Sequence, residues 1–340
     1  MPFKQPIARP ATGQAGLRAY FRLTSSGMFC MITIAPRHAR AMRAHDTRTC
    51  AAFALCLALC AFAAAPAAAD APRADLVQAW RTQVASISDG ADTPAREAAI
   101  ARRLDAMGIA WRAEEFELDG KRGRNLLADL GGADDAPLLL VGAHYDRVDV
   151  GHGATDNASG VATVLALAQA LQARPLAAHR VKLAFWDLEE HGLLGSRAWV
   201  AAPGQERPAL YVNFDVFGWG DTLWMMAPEA GDPLVEALRR SSAAEGIGLQ
   251  AGQAYPPTDH RAFLQAGWPA VSFSLVGGDE IAGILDVFAG RRPAQAPKVT
   301  QVIHSPQDDA TQLDSRHVPA ALRALEAGLR AWDAAAGTPR

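Results

Sequence analysis

Cysteine is scarce and badly placed for chemistry. The chain has four in 340 residues, and Cys30, Cys50, Cys56 and Cys60 all fall near the N-terminus. Beyond Ala69 there can be no disulfide, no thiolate nucleophile and no thiolate metal ligand, so any reaction must use oxygen and nitrogen groups. Excess charge is missing too. A formal net charge of −3 leaves no basic footprint for nucleic acid. There is no repeat at solenoid spacing, and no linker good enough to divide residues 70–340, which are therefore expected to form one domain. A long apolar run is absent as well. In the best stretch, "AAFALCLALCAFAAAPAAADAP", the apolar core is short for a membrane span, which needs about 20 residues. It follows Arg40, Arg43 and Arg48 and ends in Ala67-Ala68-Ala69, the pattern of a secretory signal peptide. Met42 opens a signal of ordinary shape, so residues 1–69 read as a leader whose true start is Met42. A lipoprotein reading at Cys60 fits poorly because Leu59 stands where a small residue is expected. The expectation is an exported protein, periplasmic or secreted, with no stable membrane span after cleavage.

What remains is ordinary core material, half of it hydrophobic and a fifth charged. "ADLVQAWRTQVASI" and "TPAREAAIARRLDAMGI" read as helices, the second with Thr93 as N-cap, Pro94 at its first position and Gly108 at its end. "WRAEEFELDG" and "RGRNLLADLGG" read as strands. Then strand and helix alternate. "APLLLVGAH" leads to a helix from Ser159 to about Leu171, "RVKLAFWD" to "GLLGSRAWV", and "ALYVNFD" to "DTLWMMAP". The helices "DPLVEALRRSSAAEG" and "HRAFLQAG" precede the strand "PAVSFSL", and "VPAALRALEAGLRAW" closes the chain. The pattern predicts an α/β three-layer sandwich with a mostly parallel, mixed central sheet flanked by helices. Gly277 to Val302 reads as a long loop near the site.

Within this frame, "HYDRVDVGHGATDNASG" packs two histidines and three aspartates between an apolar strand and an apolar helix. The carboxyl edge of an open α/β sheet is where such folds place their sites. Further acids follow at other strand ends: Glu189 and Glu190 in "WDLEEHG", and Asp215 in "NFDVFG". His304 comes late, in "VIHSPQDD". Two imidazoles with several carboxylates and no cysteine are a ligand set for zinc or a similar divalent ion.

On His-x-Asp, Gly-Ala-x-Asp-Asn-x-x-Gly, Glu-Glu-x-Gly-Leu-x-Gly-Ser, Asn-x-Asp and Ile-His-x-x-x-Asp, in that order over Asn125–Asp314, the sequence resembles the M28 metallopeptidases, zinc aminopeptidases. The resemblance implies that His144, Asp156 and Asp215 hold one zinc. Asp156 would bridge to a second, held also by Glu190 and His304. Cobalt or manganese would be possible substitutes. It further implies Glu189 as general base toward a water activated between the metals, and Asp146 as the residue that orients His144 through its other N–H. Substrates would be peptides with a free N-terminus. Glutaminyl cyclases resemble the same family and bind one zinc through the equivalents of Asp156, Glu190 and His304, which leaves pyroglutamate formation as the alternative activity.

The sequence departs from the family at two places. Leu188 stands where glycine often precedes the glutamate pair, and Ile303 where some aminopeptidases have a tyrosine that helps stabilise the oxyanion. Tyr255 or a group on the long loop is the candidate substitute. His152, His191, Asp149, Asp308 and Asp309 read as solvated. Asp187 reads equally as a helix cap, and Trp186, Trp199, Trp219, Trp224 and Trp268 as core or pocket lining. Ser159 reads as helix-start chemistry, not as a nucleophile. Asp259 and His260 in "TDHRAF" receive no role.

Overall fold

Every residue of the strand Leu138–His144 is buried, and its side chains alternate between two separate apolar cores. Leu139 and Val141 face one core, with Trp80, Ile100, Val161 and Leu325. Leu138 and Leu140 face the other, with Trp186, Trp199, Tyr211 and Phe263. A strand covered on both faces must be apolar throughout, which is why "LLLV" shows no alternation. Each such Leu or Val contributes about 1.5–3 kcal/mol by leaving water.

The computed structural model describes residues 67–337, apart from 91 and 230. Its eight strands are β1 (Ala110–Leu118), β2 (Lys121–Gly131), β3 (Leu138–His144), β4 (Arg180–Trp186), β5 (Leu210–Phe217), β6 (Thr222–Met226), β7 (Gly248–Gly252) and β8 (Ala270–Val276). They form one sheet in the order β1-β2-β4-β3-β5-β8-β6-β7. Strands β4, β3, β5 and β8 run parallel, β1 and β2 form an antiparallel hairpin, and β6 is antiparallel to β8. The first core lies under α1 (Ala67–Ser88), α2 (Thr93–Ala106), α3 (Ser159–Ala173), α5 (Pro233–Glu245) and α9 (Val318–Ala336). The second lies under α4 (Leu194–Ala201) and α6 (His260–Gln265). The three-layer α/β expectation is met. Among the described residues no helix is long and apolar enough to cross a membrane. Residues 1–66, with Met42 and the four cysteines of the expected leader, lie outside the described residues.

Three local expectations need correction. The N-cap of α2 is Asp92, not Thr93: Asp92 has extended backbone and its carboxylate accepts the Ala95 N–H, while Thr93 is already helical. Cap geometry favours whichever side-chain oxygen reaches the third amide, and sequence alone offered two neighbours able to do it. The stretch Gly277–Val302 is not one loop. It holds α7 (Ile281–Phe288) and a short α8 (Lys298–Val302), because Ile281 and Ile284 bury one face of α7. Strand β7 was not expected. Its five residues begin and end with glycine, and its pairing with β6 is what makes it a strand.

Candidate metal centre

The parallel strands bring their carboxyl ends to one edge, and the acids and imidazoles converge there. His144 closes β3. Its Nε2 lies 3.1 Å from Asp156 Oδ1 and 3.5 Å from Asp215 Oδ1. Asp156 lies in the Ala154–Ala158 turn that starts α3. Asn157 anchors this turn by donating to the Phe214 carbonyl of β5 and accepting the Gly160 N–H. A Cβ at Gly160 would stand 2.2 Å from that Asn157 oxygen and 2.6 Å from Phe214 O, so only glycine lets α3 start this close to β5. Asp215 sits where the β5–β8 register breaks between Phe214 and Phe217. An irregularity of this kind re-aims a side chain at a sheet's rim.

The second half of the site comes from β4 and the segment after α8. His304 Nε2 is 3.2 Å from Asp156 Oδ2 and 3.0 Å from Glu190 Oε2. The structure thus forms two triads, His144–Asp156–Asp215 and Asp156–Glu190–His304, each with ligand atoms within 4.8 Å of one another, and Asp156 belongs to both. The turn after β4 carries Glu189 and Glu190. Leu188 enters it at φ +55, so a leucine adopts the left-handed backbone that a glycine would adopt freely. Val216, just after Asp215, and His304 itself also have positive φ, at 57 and 56. Left-handed non-glycine residues gathered around one cluster are typical of sites whose surroundings over-determine the backbone.

Asp146 organises the two halves. Its Oδ1 lies 3.3 Å from His144 Nδ1 and accepts the Glu189 N–H at 3.0 Å, and its Oδ2 accepts the Glu190 N–H at 3.2 Å. A carboxylate facing Nδ1 requires the proton there, which leaves Nε2 a lone pair aimed into the first triad.

The donor set fits a divalent cation. His144 Nε2 and Asp215 Oδ1 are buried without an aligned hydrogen bond, and an unsatisfied buried polar atom costs about 1–3 kcal/mol. Electrostatics points the same way. Burial lowers the pKa of His144, but the charges of Glu189 and Asp215 and hydrogen bonds to Asp146 and Asp156 outweigh it and raise the pKa well above normal. His304, hydrogen-bonded to Asp156 and Glu190, is raised to about 10. Asp156 is lowered, since its hydrogen bonds to both imidazoles overcome burial. The acids call for positive charge, and a dication answers that need in place of two protons. Glu189 belongs to neither triad and lines the same cavity. Burial, then repulsion from Asp259, Asp215 and Asp156, raises its pKa well above the usual carboxylate value, although His144 opposes this.

The cavity beside the triads has a volume of about 120 Å³. Trp224, Tyr255, Val276, Ile284, Phe288 and Val299 are among its walls, so the Gly277–Val302 segment does reach the site. Ile303 lines it too. The Tyr255 hydroxyl, 2.5 Å from Ser274 Oγ, is turned into the wall.

Asp308 is a further correction. It is not solvated but buried, and its two oxygens accept the N–H groups of Thr155 and Asp156 at 2.7 and 3.1 Å. The signal was present, since Asp308 ends the Ile-His-x-x-x-Asp motif. His152, His191 and Asp149 are exposed, as expected, and Asp309 is half-buried. Asp187 caps its own turn by accepting the Leu188 and Arg124 N–H groups. The five tryptophans lie in or against the cores or in the cavity wall. Ser159 donates to Thr155 O and accepts the Phe217 N–H, a helix-start role. Asp259 was missed. It is wholly buried beside Glu189, its own carboxyl raised to about 7 by burial and neighbouring acids, and no pattern in "TDHRAF" shows that depth.

The chain is similar to known proteins in sequence and in fold. The family described as "Peptidase family M28" matches residues 125–327. Leupeptin-inactivating enzyme 1 of Streptomyces exfoliatus is 29% identical over 307 residues, 82% of this chain. That match covers 66% of the relative's own length, and smaller shares of other curated relatives are spanned. Among solved structures, Porphyromonas gingivalis glutaminyl cyclase superposes with a TM-score of 0.60 at 20% identity, over 76% of this chain and 98% of that one. BSAP, a zinc aminopeptidase from Bacillus subtilis, superposes at 0.51 and 21%, over 62% and 50%. At such identities these two likenesses speak for the fold.

Proposed function

The chain belongs to peptidase family M28, and we propose that it is an exported metallo-aminopeptidase that removes N-terminal residues from peptides at a pair of zinc ions. The observation that carries this reading is the pair of complete triads sharing Asp156. His144, Asp156 and Asp215 would hold one ion, and Asp156, Glu190 and His304 the other. When bound, the ions supply Lewis acidity, acidifying water and polarising the scissile carbonyl. Cobalt and manganese suit the same donors. BSAP, named a zinc aminopeptidase, supports zinc. The signal-peptide pattern supports export.

In this mechanism Glu189 takes the proton of the attacking water and returns it to the leaving amine. A carboxyl raised by burial and by neighbouring acids has the basicity for both steps. Asp146 holds the His144 ring and the backbone amides of the glutamate pair, so the base and the donors keep one geometry. The acids facing the cavity would pair with the free substrate ammonium. The apolar walls admit an uncharged aliphatic first side chain, since the Tyr255 and Ser274 hydroxyls are engaged with each other.

Glutaminyl cyclisation is the second reading, favoured by the cyclase superposition. The first triad weighs against it, because a single-zinc enzyme has no use for His144, Asp156 and Asp215 together. The deciding experiment incubates the protein from Asp70 onward with zinc and two unblocked peptides, one beginning with Leu and one with Gln, and follows the products by mass spectrometry. Loss of the first residue from the Leu peptide is expected. Loss of ammonia from the Gln peptide alone would establish the cyclase instead. Glu189→Gln is expected to abolish turnover while leaving bound metal in place.

A further inference from the structure

The segment from Tyr145 to Asp156 joins two members of the first triad, following directly on His144 and ending in Asp156, the acid both triads share. Much of it is irregular, yet both its polarities are held by charged side chains from elsewhere in the chain. Arg96, on α2, is wholly buried. Its guanidinium takes the carbonyl side. Nε donates to Tyr145 O at 2.5 Å, Nη1 to His152 O at 3.0 Å, and Nη1 and Nη2 both to Gly153 O at 3.2 Å. Asp308, four residues after His304, takes the amide side. Its carboxylate accepts the Thr155 and Asp156 N–H groups, and its carbonyl accepts the His152 N–H at 2.8 Å.

The fit is close. Gly153 has φ +57, and a Cβ there would meet Asp156 O at 2.8 Å and Arg96 Nη1 at 3.1 Å. At Gly151 (φ +74) a Cβ would stand 2.4 Å from Ser305 O. The segment is thus wedged between α2 and the turn that follows His304. A planar fork with donors spread over three nitrogens reaches carbonyls set apart from one another, whereas a lysine ammonium gathers its donors on a single nitrogen.

Taking the metal centre as proposed above, we infer that Arg96 and Asp308 are positioning residues for it. The guanidinium grips the carbonyls of Tyr145, His152 and Gly153, and the carboxylate grips the amides of Thr155 and Asp156. Together they set the distance between the His144 end and Asp156. Because Asp156 belongs to both triads, a shift in that distance loosens both metal positions. Because Asp308 shares a turn with His304, it also ties the bridging acid to the farthest ligand in sequence.

Arg96→Lys, Asp308→Asn and the double variant test this in the full chain, with zinc affinity read by competition against a chromophoric chelator. Stability of the metal-free protein and steady-state kinetics at saturating zinc are measured alongside. Each single variant is expected to weaken zinc by about 10–100-fold, the range typical of partners that orient ligands. At saturating zinc, kcat is expected to fall while KM stays near that of the parent. The double variant is expected to lose less than the product of the single losses, because both act on one segment. Zinc affinity within twofold of the parent in both single variants, with only a lower unfolding midpoint, would overturn the inference and leave the two residues structural. Arg96→Lys alone matching the parent would also overturn it, by showing that the charge suffices without the fork. If the parent chain itself holds no zinc, the metal-centre reading fails at its root and takes this inference with it, a result distinct from an effect confined to the variants.

Discussion

Asp146 and Glu189 are joined through the backbone: Asp146 Oδ1 accepts the Glu189 N–H at 3.0 Å from the same oxygen that faces His144 Nδ1. One carboxylate therefore fixes both the imidazole that would hold a metal and the turn that would deliver the base. Asparagine at this position keeps one acceptor but turns an NH₂ group toward amides that need acceptors. Asp146→Asn is expected to cut kcat/KM by about 10–100-fold and to weaken metal binding. Kinetics with an unblocked peptide and a metal titration on the same sample check both parts. Unchanged values in both would remove Asp146 from the machinery.

Sharing of Asp156 predicts unequal losses of metal. The parent is expected to hold about two equivalents of zinc after dialysis. His304→Ala should retain about one, and Asp156→Ala much less than one, since a tetrahedral site that loses a ligand common to both ions spoils each. Elemental analysis of the three proteins decides. Equal retention by the two variants would show that the bridge does not exist.

Leu188 bears a backbone conformation that favours glycine, at φ +55. It is half-buried, so little packing rests on its side chain. Leu188→Gly is expected to keep activity and to stay within about 1 kcal/mol of the parent in stability, relief of the left-handed strain offsetting the greater freedom of glycine in the unfolded chain. Leu188→Val should do worse than either, because branching at Cβ makes positive φ harder still. Chemical denaturation of the three proteins ranks them.

His260 makes acid stability measurable. It is buried against the Tyr255 ring, with centroids 5.7 Å apart, and burial, with the Arg261 charge, lowers its pKa from 6.5 to about 3. The folded state then binds fewer protons than the unfolded state between those values. Stability from this group is complete above pH 6.5 and is lost as pH falls toward 3. From pH 6.5 to 5 the loss is about 2 kcal/mol. His260→Phe keeps a ring beside Tyr255 and removes the titration. In chelator, the parent is expected to lose about 2 kcal/mol more than the variant over that interval. Parallel curves would show that His260 titrates normally.

The sheet was legible in sequence wherever an element was strongly apolar. "LLLVGA", "LAFW" and "AVSFSLV" are buried on both faces, and apolar residues dominate them, with Ser272 and Ser274 the polar exceptions. Strand β7 was not legible, because "GLQAG" carries no signal of its own and exists through its pairing with β6. Helix α7 was obscured by the glycines and prolines on either side of "IAGILDVF". At the site, His144, Asp156, Glu190, Asp215 and His304 stood out as chemistry-bearing types at strand ends and in one late motif, and they meet in space. Asp259 and Arg96 did not stand out, and Asp308, although it ends a motif, read as solvated. A buried charge and a solvated one look alike in sequence, since the difference lies in what other segments place around them.

Sequence by itself determined that residues 70–340 offer no thiolate, that their strands and helices alternate into layers, and which acids and imidazoles lie near strand ends. Those are properties of composition and local order. Only the tertiary structure decided that the five candidate ligands meet within reach of one another, that Asp146 serves the imidazole and the glutamate turn together, and that Leu188 takes a glycine's backbone. Each of these depends on segments far apart in the chain being packed against one sheet edge, where burial removes water and leaves polar groups only one another to satisfy.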